Sequence, residues 1–210
     1  MSDELVFYTN PMSRGRIIRW MLEEVGQPYR TEILGYGTSM KSPEYLAVNP
    51  MGKVPAISHR GVVVTEGAAI CAYLADAFPQ AGLAPAVNDP KRGTYYRWMF
   101  FAAGPIESAV VARSMSWVVP EGKSGMVGFG SYEDVINAME FALQNGDYLL
   151  GDTFSAADVY FGSQVAWGLQ FGTVEKRPVF EAYAARLLSR PASVRAREID
   201  DALIPPKPSE

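Results

Sequence analysis

Cysteine and histidine are almost missing from this sequence, whose 210 residues contain one of each, Cys71 and His59. A single cysteine excludes an internal disulfide, and the pair cannot supply the four ligands of a structural zinc site. A C-x-x-C redox motif is excluded as well. We therefore expect no bound metal, a reducing compartment, a buried Cys71 that acts as a small core residue, and a solvated His59.

Excess positive charge is also missing, since 19 basic and 23 acidic residues give a formal net charge of −4. Such a chain has no basic surface for phosphate backbones, so nucleic acid is not an expected partner. The opening residues "MSDELVFYTN" lack the basic segment and cleavage site of a signal peptide. No apolar run approaches the ~20 residues that span a bilayer. The sequence predicts a soluble, cytoplasmic protein.

The first eighty residues alternate between strand and helix patterns. "LVFYT" (Leu5–Thr9) is typical of a short buried strand, and helical spacing follows from Ser13, a plausible N-cap, to Gly26. The strand "YRTEIL", the helical turn "SPEYLAVN", the hairpin strands "PAIS" and "GVVVT", and the helix "EGAAICAYLADAF" come next. This order predicts a small α/β domain over residues 1–80, with a right-handed β-α-β crossover.

Beyond residue 80 the pattern changes to helix. Residues 81–89 are rich in proline, glycine and alanine, which is typical of a linker. Helical spacing covers residues 91–117, 132–144, 156–168 and 179–189, so residues 90–210 are predicted to form an all-helical domain. Gly104 and Pro105 should bend the first of these helices.

The segment "LLGDTFSAADVYF" carries a capping-box pattern at Ser155 and Asp158. The Asp158 carboxylate can reach back to the Ser155 N–H, and an acid also suits the positive end of a helix. We interpret Asp158 as a folding device and not as a catalytic residue.

The segment "NPMGKVPAIS" opens a predicted strand with Val54-Pro55. Because proline has no N–H to give to a sheet, it occurs at the first residue of a strand, at an edge or at a bulge. One interpretation is a proline that ends a turn. The other is a cis bond that leaves the N–H and C=O of Val54 facing outward, where they could pair with an extended peptide ligand.

The whole chain resembles the glutathione transferase superfamily. The resemblance depends on "NPMSRGRIIRWMLEEVG", "NPMGKVPAI", "TEGAAICAYL" and "LLGDTFSAADVYF", which occur in the family's order and spacing. It implies a thioredoxin-like α/β N-terminal domain that binds glutathione, followed by an all-α helical-bundle domain that binds an electrophile. It also implies a homodimer, with glutathione as a co-substrate and no other cofactor.

The resemblance further implies which residues bind glutathione. A cis Pro55 would turn the backbone of Val54 toward the cysteine of glutathione, and the two would pair like antiparallel strands. Glu66 would meet the γ-glutamyl ammonium, and the exposed N–H groups at the helix start would meet its carboxylate. Gly67 stands where the family has a hydroxyl residue, so one donor is missing and affinity is expected to be weaker. The alternative is that Glu66 does not bind a ligand and only stabilises the N-terminus of its helix.

Two lysines are placed to meet the glycine carboxylate of the tripeptide. They are Lys53, directly before Val54, and Lys41, in the loop before "SPEYL". A lysine would act there as a point charge. Solvated surface lysines are the alternative for both.

The thiol activator has two candidates. A thiol titrates near ~8.5, so the enzyme must stabilise the thiolate, and a hydroxyl donor at a helix start can do so. Ser13 matches the serine-type branches of the family, and Arg14 could add charge. Tyr8 is the runner-up, because tyrosine-type branches use a tyrosine at the end of the first strand. Ser13 could also serve merely as the N-cap.

The sequence thus favours a cytosolic, bacterial-like glutathione transferase of the serine type, acting on an electrophilic, apolar co-substrate. Two alternatives remain open. One is a binding or scaffold protein that keeps the fold without catalysis, and the other is a glutathione-dependent disulfide or peroxide reductase.

Overall fold

The structure is a computed structural model that describes residues 3–204. Its contacts divide the chain into two compact units, residues 3–81 with 190–204 and residues 82–189. The strands are β1 (Leu5–Thr9), β2 (Arg30–Ile33), β3 (Ala56–His59) and β4 (Val62–Thr65). The helices are α1 (Gly15–Val25), α2 (Pro43–Val48), α3 (Gly67–Ala77), α4 (Lys91–Phe101), α5 (Glu107–Ser114), α6 (Tyr132–Ala142), α7 (Ala156–Phe171), α8 (Pro178–Leu188) and α9 (Pro191–Ala202).

A four-stranded mixed sheet with the order β2-β1-β3-β4 organises the first unit. Strand β1 is parallel to β2 and antiparallel to β3, which in turn pairs antiparallel with β4. Tyr8, Ala56 and Thr65 are direct cross-strand neighbours. The end of β1, the start of β3 and the end of β4 therefore lie at one edge of the sheet, which we call the site edge.

The core of the first unit lies between this sheet and its helices. Phe7 on β1, Ile18 on α1 and Ile57 on β3 have no exposed surface. Helix α1 ends at Val25, and its C-cap residue Gly26 adopts a left-handed conformation with φ 69° and closes the last turn. The strand predicted at Leu5–Thr9 and the following helix are confirmed.

Helix α9 packs along α1 and so belongs to the first unit. The guanidinium of Arg19 donates to the carboxylate of Asp200 at 3.1 Å, and the two side chains are only 2% and 1% exposed. More exposed ion pairs join the same segments, namely Arg190–Glu24, Arg195–Glu23 and Arg16–Asp201. These contacts make the compact units differ from the domains predicted from sequence, which assigned residues 90–210 to one helical domain.

Helix α7 is the central helix of the second unit, and its first ten residues are buried. The capping box predicted at its start is present. The Asp158 carboxylate accepts from the N–H and the hydroxyl of Ser155 at 2.9 and 3.0 Å. It also accepts from the Leu149 N–H and the Tyr183 hydroxyl, both at 2.9 Å. Burial raises the pKa of Asp158, and the hydrogen bonds from these donors oppose the rise.

The helix predicted over residues 91–117 is interrupted. Helix α4 ends at Phe101, a π-helical turn spans Ala102–Ile106, and α5 continues to Ser114. Pro105 lies inside the turn, and its missing N–H and its ring prevent the regular hydrogen-bond pattern. The irregularity predicted at Gly104-Pro105 is therefore present, but the helix is shorter than predicted.

The prediction of a solvated His59 is wrong. The side chain is 2% exposed, its ring centroid lies 5.3 Å from that of Phe78, and its Nδ1 is 2.9 Å from the Tyr73 hydroxyl. Burial lowers the pKa of His59. The hairpin position was predicted correctly, but aromatic side chains on and after α3 cover the ring. Cys71 is fully buried, as predicted, and burial raises the pKa of its thiol.

Within residues 3–204, no helix has both the length and the apolar character required to cross a membrane. The same residues contain no cluster of three His, Cys, Asp or Glu side chains able to hold a metal ion.

Candidate functional site

The loops at the site edge carry the residues that the sequence singled out. The Tyr8–Ala56–Thr65 row puts three loops side by side: the turn after β1, the Val54-Pro55 segment before β3 and the Glu66-Gly67 junction after β4. Thr9 pairs with Ile33, so the segment that follows β2 starts at the same edge. The sheet register thus gathers parts of the chain that are far apart in sequence.

The turn between β1 and α1 is held by short hydrogen bonds. Asn10 anchors it, because its Nδ2 donates to the Leu34 carbonyl at 2.8 Å and its Oδ1 accepts from the Met12 N–H at 2.9 Å. The Ser13 hydroxyl donates to the Asn10 carbonyl at 2.7 Å and accepts from the Gly15 N–H at 2.9 Å. The single proton of that hydroxyl is therefore already donated to the backbone.

Ser13 does not occupy the N-cap position considered from the sequence. Helix α1 begins at Gly15, and Arg14 is the N-cap residue, without a side-chain capping bond. Ser13 instead closes a tight turn one residue earlier. It is half-buried and Arg14 is exposed, so both lie at the surface of the site edge.

Tyr8, the alternative activator, is the second-last residue of β1 and lies at the same edge. Its ring is half-buried and lies 5.6 Å, centroid to centroid, from the ring of Tyr45 on α2. Its hydroxyl and the Ser13 hydroxyl thus lie on adjoining segments of the chain. Mutants of the two residues are needed to decide which hydroxyl is the activator.

The Val54-Pro55 segment has a firmly held backbone. The peptide bond between the two residues is cis. The preceding carbonyl, that of Lys53, accepts from the Tyr45 hydroxyl at 2.6 Å and from Asn49 Nδ2 at 2.8 Å. Burial raises the pKa of Tyr45 to about 12, so its hydroxyl keeps the proton that it donates.

Val54 offers an unused pair of hydrogen-bonding groups. In the part of the chain that the structure describes, neither its N–H nor its C=O has a protein partner. The side chain is half-buried and the segment lies beside the strand edge. An extended peptide could therefore add to the chain at this point in the manner of a further strand.

Glu66 joins β4 to α3 with a strained backbone. Its φ is 64° and its ψ is 118°, values that side-chain-bearing residues rarely adopt. Its carbonyl accepts the first helical hydrogen bond, from the Ile70 N–H at 2.9 Å, and its side chain makes no capping bond. The exposed carboxylate and the N–H groups of Gly67 and Ala68 thus lie together at the helix start, where they suit an ammonium and a carboxylate respectively.

The two lysines differ in what they do. The ammonium of Lys41 donates to the Met51 carbonyl at 2.9 Å and lies close to Gly52, whose φ is 56°. Lys41 therefore ties two loops together while its remaining donors stay available. Lys53 is exposed and offers its whole ammonium to solvent or to a ligand.

Sequence reasoning missed three supporting residues, Asn10, Tyr45 and Asn49. Tyr45 and Asn49 are 4% and 5% exposed, which is unusual for an asparagine. The signal that could have found Asn49 is its place before Pro50 and three residues before Gly52, where an amide commonly satisfies a turn. Nothing in the local sequence pattern indicates that the Tyr45 hydroxyl donates to the Lys53 carbonyl.

Comparison with known proteins finds similarity to one family. Residues 12–77 match the family profile of the glutathione S-transferase N-terminal domain. Glutathione S-transferase A from Pleuronectes platessa is 29% identical over 182 residues, which cover 82% of this chain and 81% of that protein.

Two solved structures show the same fold over nearly the whole chain. A glutathione transferase from Methylococcus capsulatus is 28% identical with a TM-score of 0.78, and the match covers 95% of this chain and 100% of that one. A glutathione transferase homologue from Sulfitobacter, solved with bound glutathione, is 25% identical with a TM-score of 0.73 over 94% of this chain and 99% of that one.

Proposed function

Because the chain belongs to the glutathione transferase superfamily, we propose that it binds glutathione at the site edge and transfers it to an electrophile. In this proposal Val54 pairs with the cysteine of glutathione, and Glu66 and Gly67 bind the γ-glutamyl end. Pro55 fixes the direction of the chain beside Val54, and Lys41 and Lys53 attract the glycine carboxylate. The unpaired backbone of Val54, next to the exposed start of α3, is the observation that carries the proposal.

The electrophile is proposed to be apolar and to bind the second unit. Large apolar side chains are exposed there, including Phe100 on α4 and Trp117 after α5, which are 66% and 63% exposed. We also propose a cytoplasmic homodimer with glutathione as co-substrate and with no metal or prosthetic group. A redox cycle through a protein thiol is not supported, because Cys71 is buried and its pKa is raised by burial.

Glutathione titration by calorimetry tests the binding step. We expect the wild-type chain to bind, and Glu66→Ala to weaken binding by about tenfold or more. The reason is that the γ-glutamyl ammonium loses a charge-assisted partner worth roughly 1.5–3 kcal/mol. Glu133→Ala removes an exposed acid from the first turn of α6 and should leave the affinity unchanged.

No heat of binding in the wild-type protein would refute the transferase proposal and favour the scaffold alternative. Equal weakening by Glu66→Ala and Glu133→Ala would instead show that only the overall charge matters.

The pH dependence of conjugation tests the thiol activator. We propose that the Ser13 hydroxyl turns from the Asn10 carbonyl to the thiolate when glutathione binds. Ser13→Ala should then raise the kinetic pKa of bound glutathione toward ~8.5, the value of a free thiol, and lower turnover at neutral pH. Loss of one donor to an anion costs about 2.7–4 kcal/mol in a buried site, and we expect less because the start of α1 remains.

Ser13→Thr keeps a hydroxyl and should retain most of the activity, whereas Tyr8→Phe should hardly move the pH profile. A shifted profile for Tyr8→Phe with a flat response to Ser13→Ala would assign activation to Tyr8. If neither profile moves, Arg14 or the backbone at the start of α1 stabilises the thiolate.

A further inference from the structure

Thr9, the last residue of β1, carries a buried hydroxyl that the proposed reaction does not use. The side chain has no exposed surface, and its Oγ1 has no hydrogen-bond partner among residues 3–204. The carbonyl of the same residue is satisfied, because it accepts from the Leu34 N–H at 2.8 Å. A buried hydroxyl without a partner is unfavourable, so its retention at this position calls for an explanation.

The Thr9 hydroxyl lies beside the start of α1 and close to the hydroxyl of Ser13. A Cβ atom added to Gly15, the first residue of α1, would clash with Thr9 Oγ1 and would lie 3.0 Å from Ser13 Oγ. Glycine at this position therefore allows both hydroxyl oxygens to border the same small space.

The Ser13 oxygen can accept one more hydrogen bond. A hydroxyl has one proton and two lone pairs. The proton is donated to the Asn10 carbonyl at 2.7 Å, and one lone pair accepts from the Gly15 N–H at 2.9 Å. The other lone pair accepts nothing from the part of the chain that the structure describes.

The Ser13 proton can also leave its present acceptor without stranding it. The backbone N–H of Ser13 donates to the same Asn10 carbonyl at 3.0 Å. That carbonyl therefore keeps one hydrogen bond when the hydroxyl proton turns toward a bound sulfur atom.

We propose that Thr9 is a positioning residue for the thiolate of glutathione. In the glutathione-bound state its hydroxyl donates to the unused lone pair of Ser13 Oγ, while the Ser13 proton turns to the sulfur. Each hydrogen bond that the Ser13 oxygen accepts polarises its O–H group and makes it a stronger donor. A stronger donor stabilises the anion and lowers the thiol pKa. The inference rests on the proposed function with Ser13 as the activator, and Thr9 itself does not touch glutathione.

The ultraviolet absorbance of the thiolate, followed against pH in the full chain saturated with glutathione, tests this role. S-Methylglutathione, which has no ionisable thiol, supplies the baseline. Thr9→Ala and Thr9→Ser both lose the γ-methyl group and differ only in the hydroxyl. We expect the pKa of bound glutathione to be roughly half a unit higher in Thr9→Ala than in Thr9→Ser, which leaves about threefold less thiolate below that pKa.

Two further measurements separate this role from a structural one. In the Ser13→Ala background, the difference between Thr9→Ala and Thr9→Ser should vanish, because Thr9 acts through the Ser13 hydroxyl. Ser163→Ala is the control for the loss of a buried hydroxyl, because Ser163 lies on α7 and donates to the Val159 carbonyl at 2.7 Å. It should leave the thiol pKa unchanged, and thermal unfolding verifies that each variant folds.

The possible failures are distinguishable. If the wild type does not bind glutathione, the proposed function is refuted and the inference falls with it. If the wild type binds glutathione with a lowered thiol pKa but Thr9→Ala and Thr9→Ser titrate alike, only the inference is overturned. A difference that persists in the Ser13→Ala background also overturns it, because Thr9 would then act by another route.

Discussion

Asp158→Ala should lower the free energy of unfolding by at least about 3 kcal/mol, the largest stability effect that we expect in the second unit. The carboxylate accepts from Leu149, Ser155 and Tyr183 in a fully buried setting. Alanine leaves these donors without an acceptor, and each stranded buried donor costs about 1–3 kcal/mol. Urea unfolding followed by circular dichroism measures the change.

The start of α6 provides a control with the same chemistry at the surface. There the Ser131 hydroxyl donates to Asp134 at 2.6 Å, and Asp134 is exposed. Asp134→Ala should cost only about 0.3–1 kcal/mol, because water replaces the lost partners. Similar losses for the two variants would show that the Asp158 network contributes no more than an ordinary helix cap.

Asp200→Ala should destabilise the first unit by about 3–5 kcal/mol, because it leaves the buried Arg19 guanidinium without its counter-charge. The remaining partners of Arg19 are neutral, namely the hydroxyls of Tyr29 and Thr31 at 3.1 and 2.8 Å. Loosening α9 should also expose the surface of α1 to solvent. Denaturant unfolding and amide hydrogen exchange of α1 would record both effects.

The neighbouring residue supplies the comparison for this prediction. Asp201 pairs with Arg16 of the same helix α1, but its side chain is 55% exposed. Asp201→Ala should cost at most about 1 kcal/mol, as surface ion pairs do. A small effect of Asp200→Ala, comparable with that of Asp201→Ala, would mean that the helix contact and not the ion pair holds α9 in place.

The sequence predicted the parts of the fold that local pattern determines. β1 was predicted with its observed bounds. A short apolar run that is followed by Asn10-Pro11 is compatible with few structures other than a short strand. The capping box at Ser155 was also read correctly, because the spacing of its two residues defines it. The positions of Val54 and Glu66 at one sheet edge agree with the predicted order of strands.

Contacts between distant segments were not predictable in the same way. Helix α9 was missed because its sequence, "PASVRAREIDDA", has little apolar character. Its packing depends on ion pairs between its charged side chains and those of α1. The burial of His59 depends on Phe78, and the support of Val54 depends on Tyr45 reaching the Lys53 carbonyl. Local pattern also could not show that the Ser13 proton is already donated to Asn10.

The discontinuous first unit sets an order of events during translation. Residues 3–81 leave the ribosome more than a hundred residues before the segment 190–204 that packs with them. Until then the surface of α1 that carries Arg19 has no α9 to cover it, while the second unit is already complete in sequence. The nascent chain therefore holds the first unit in an unfinished state until α9 has been synthesised, and we expect the docking of α9 against α1 to be a late folding step.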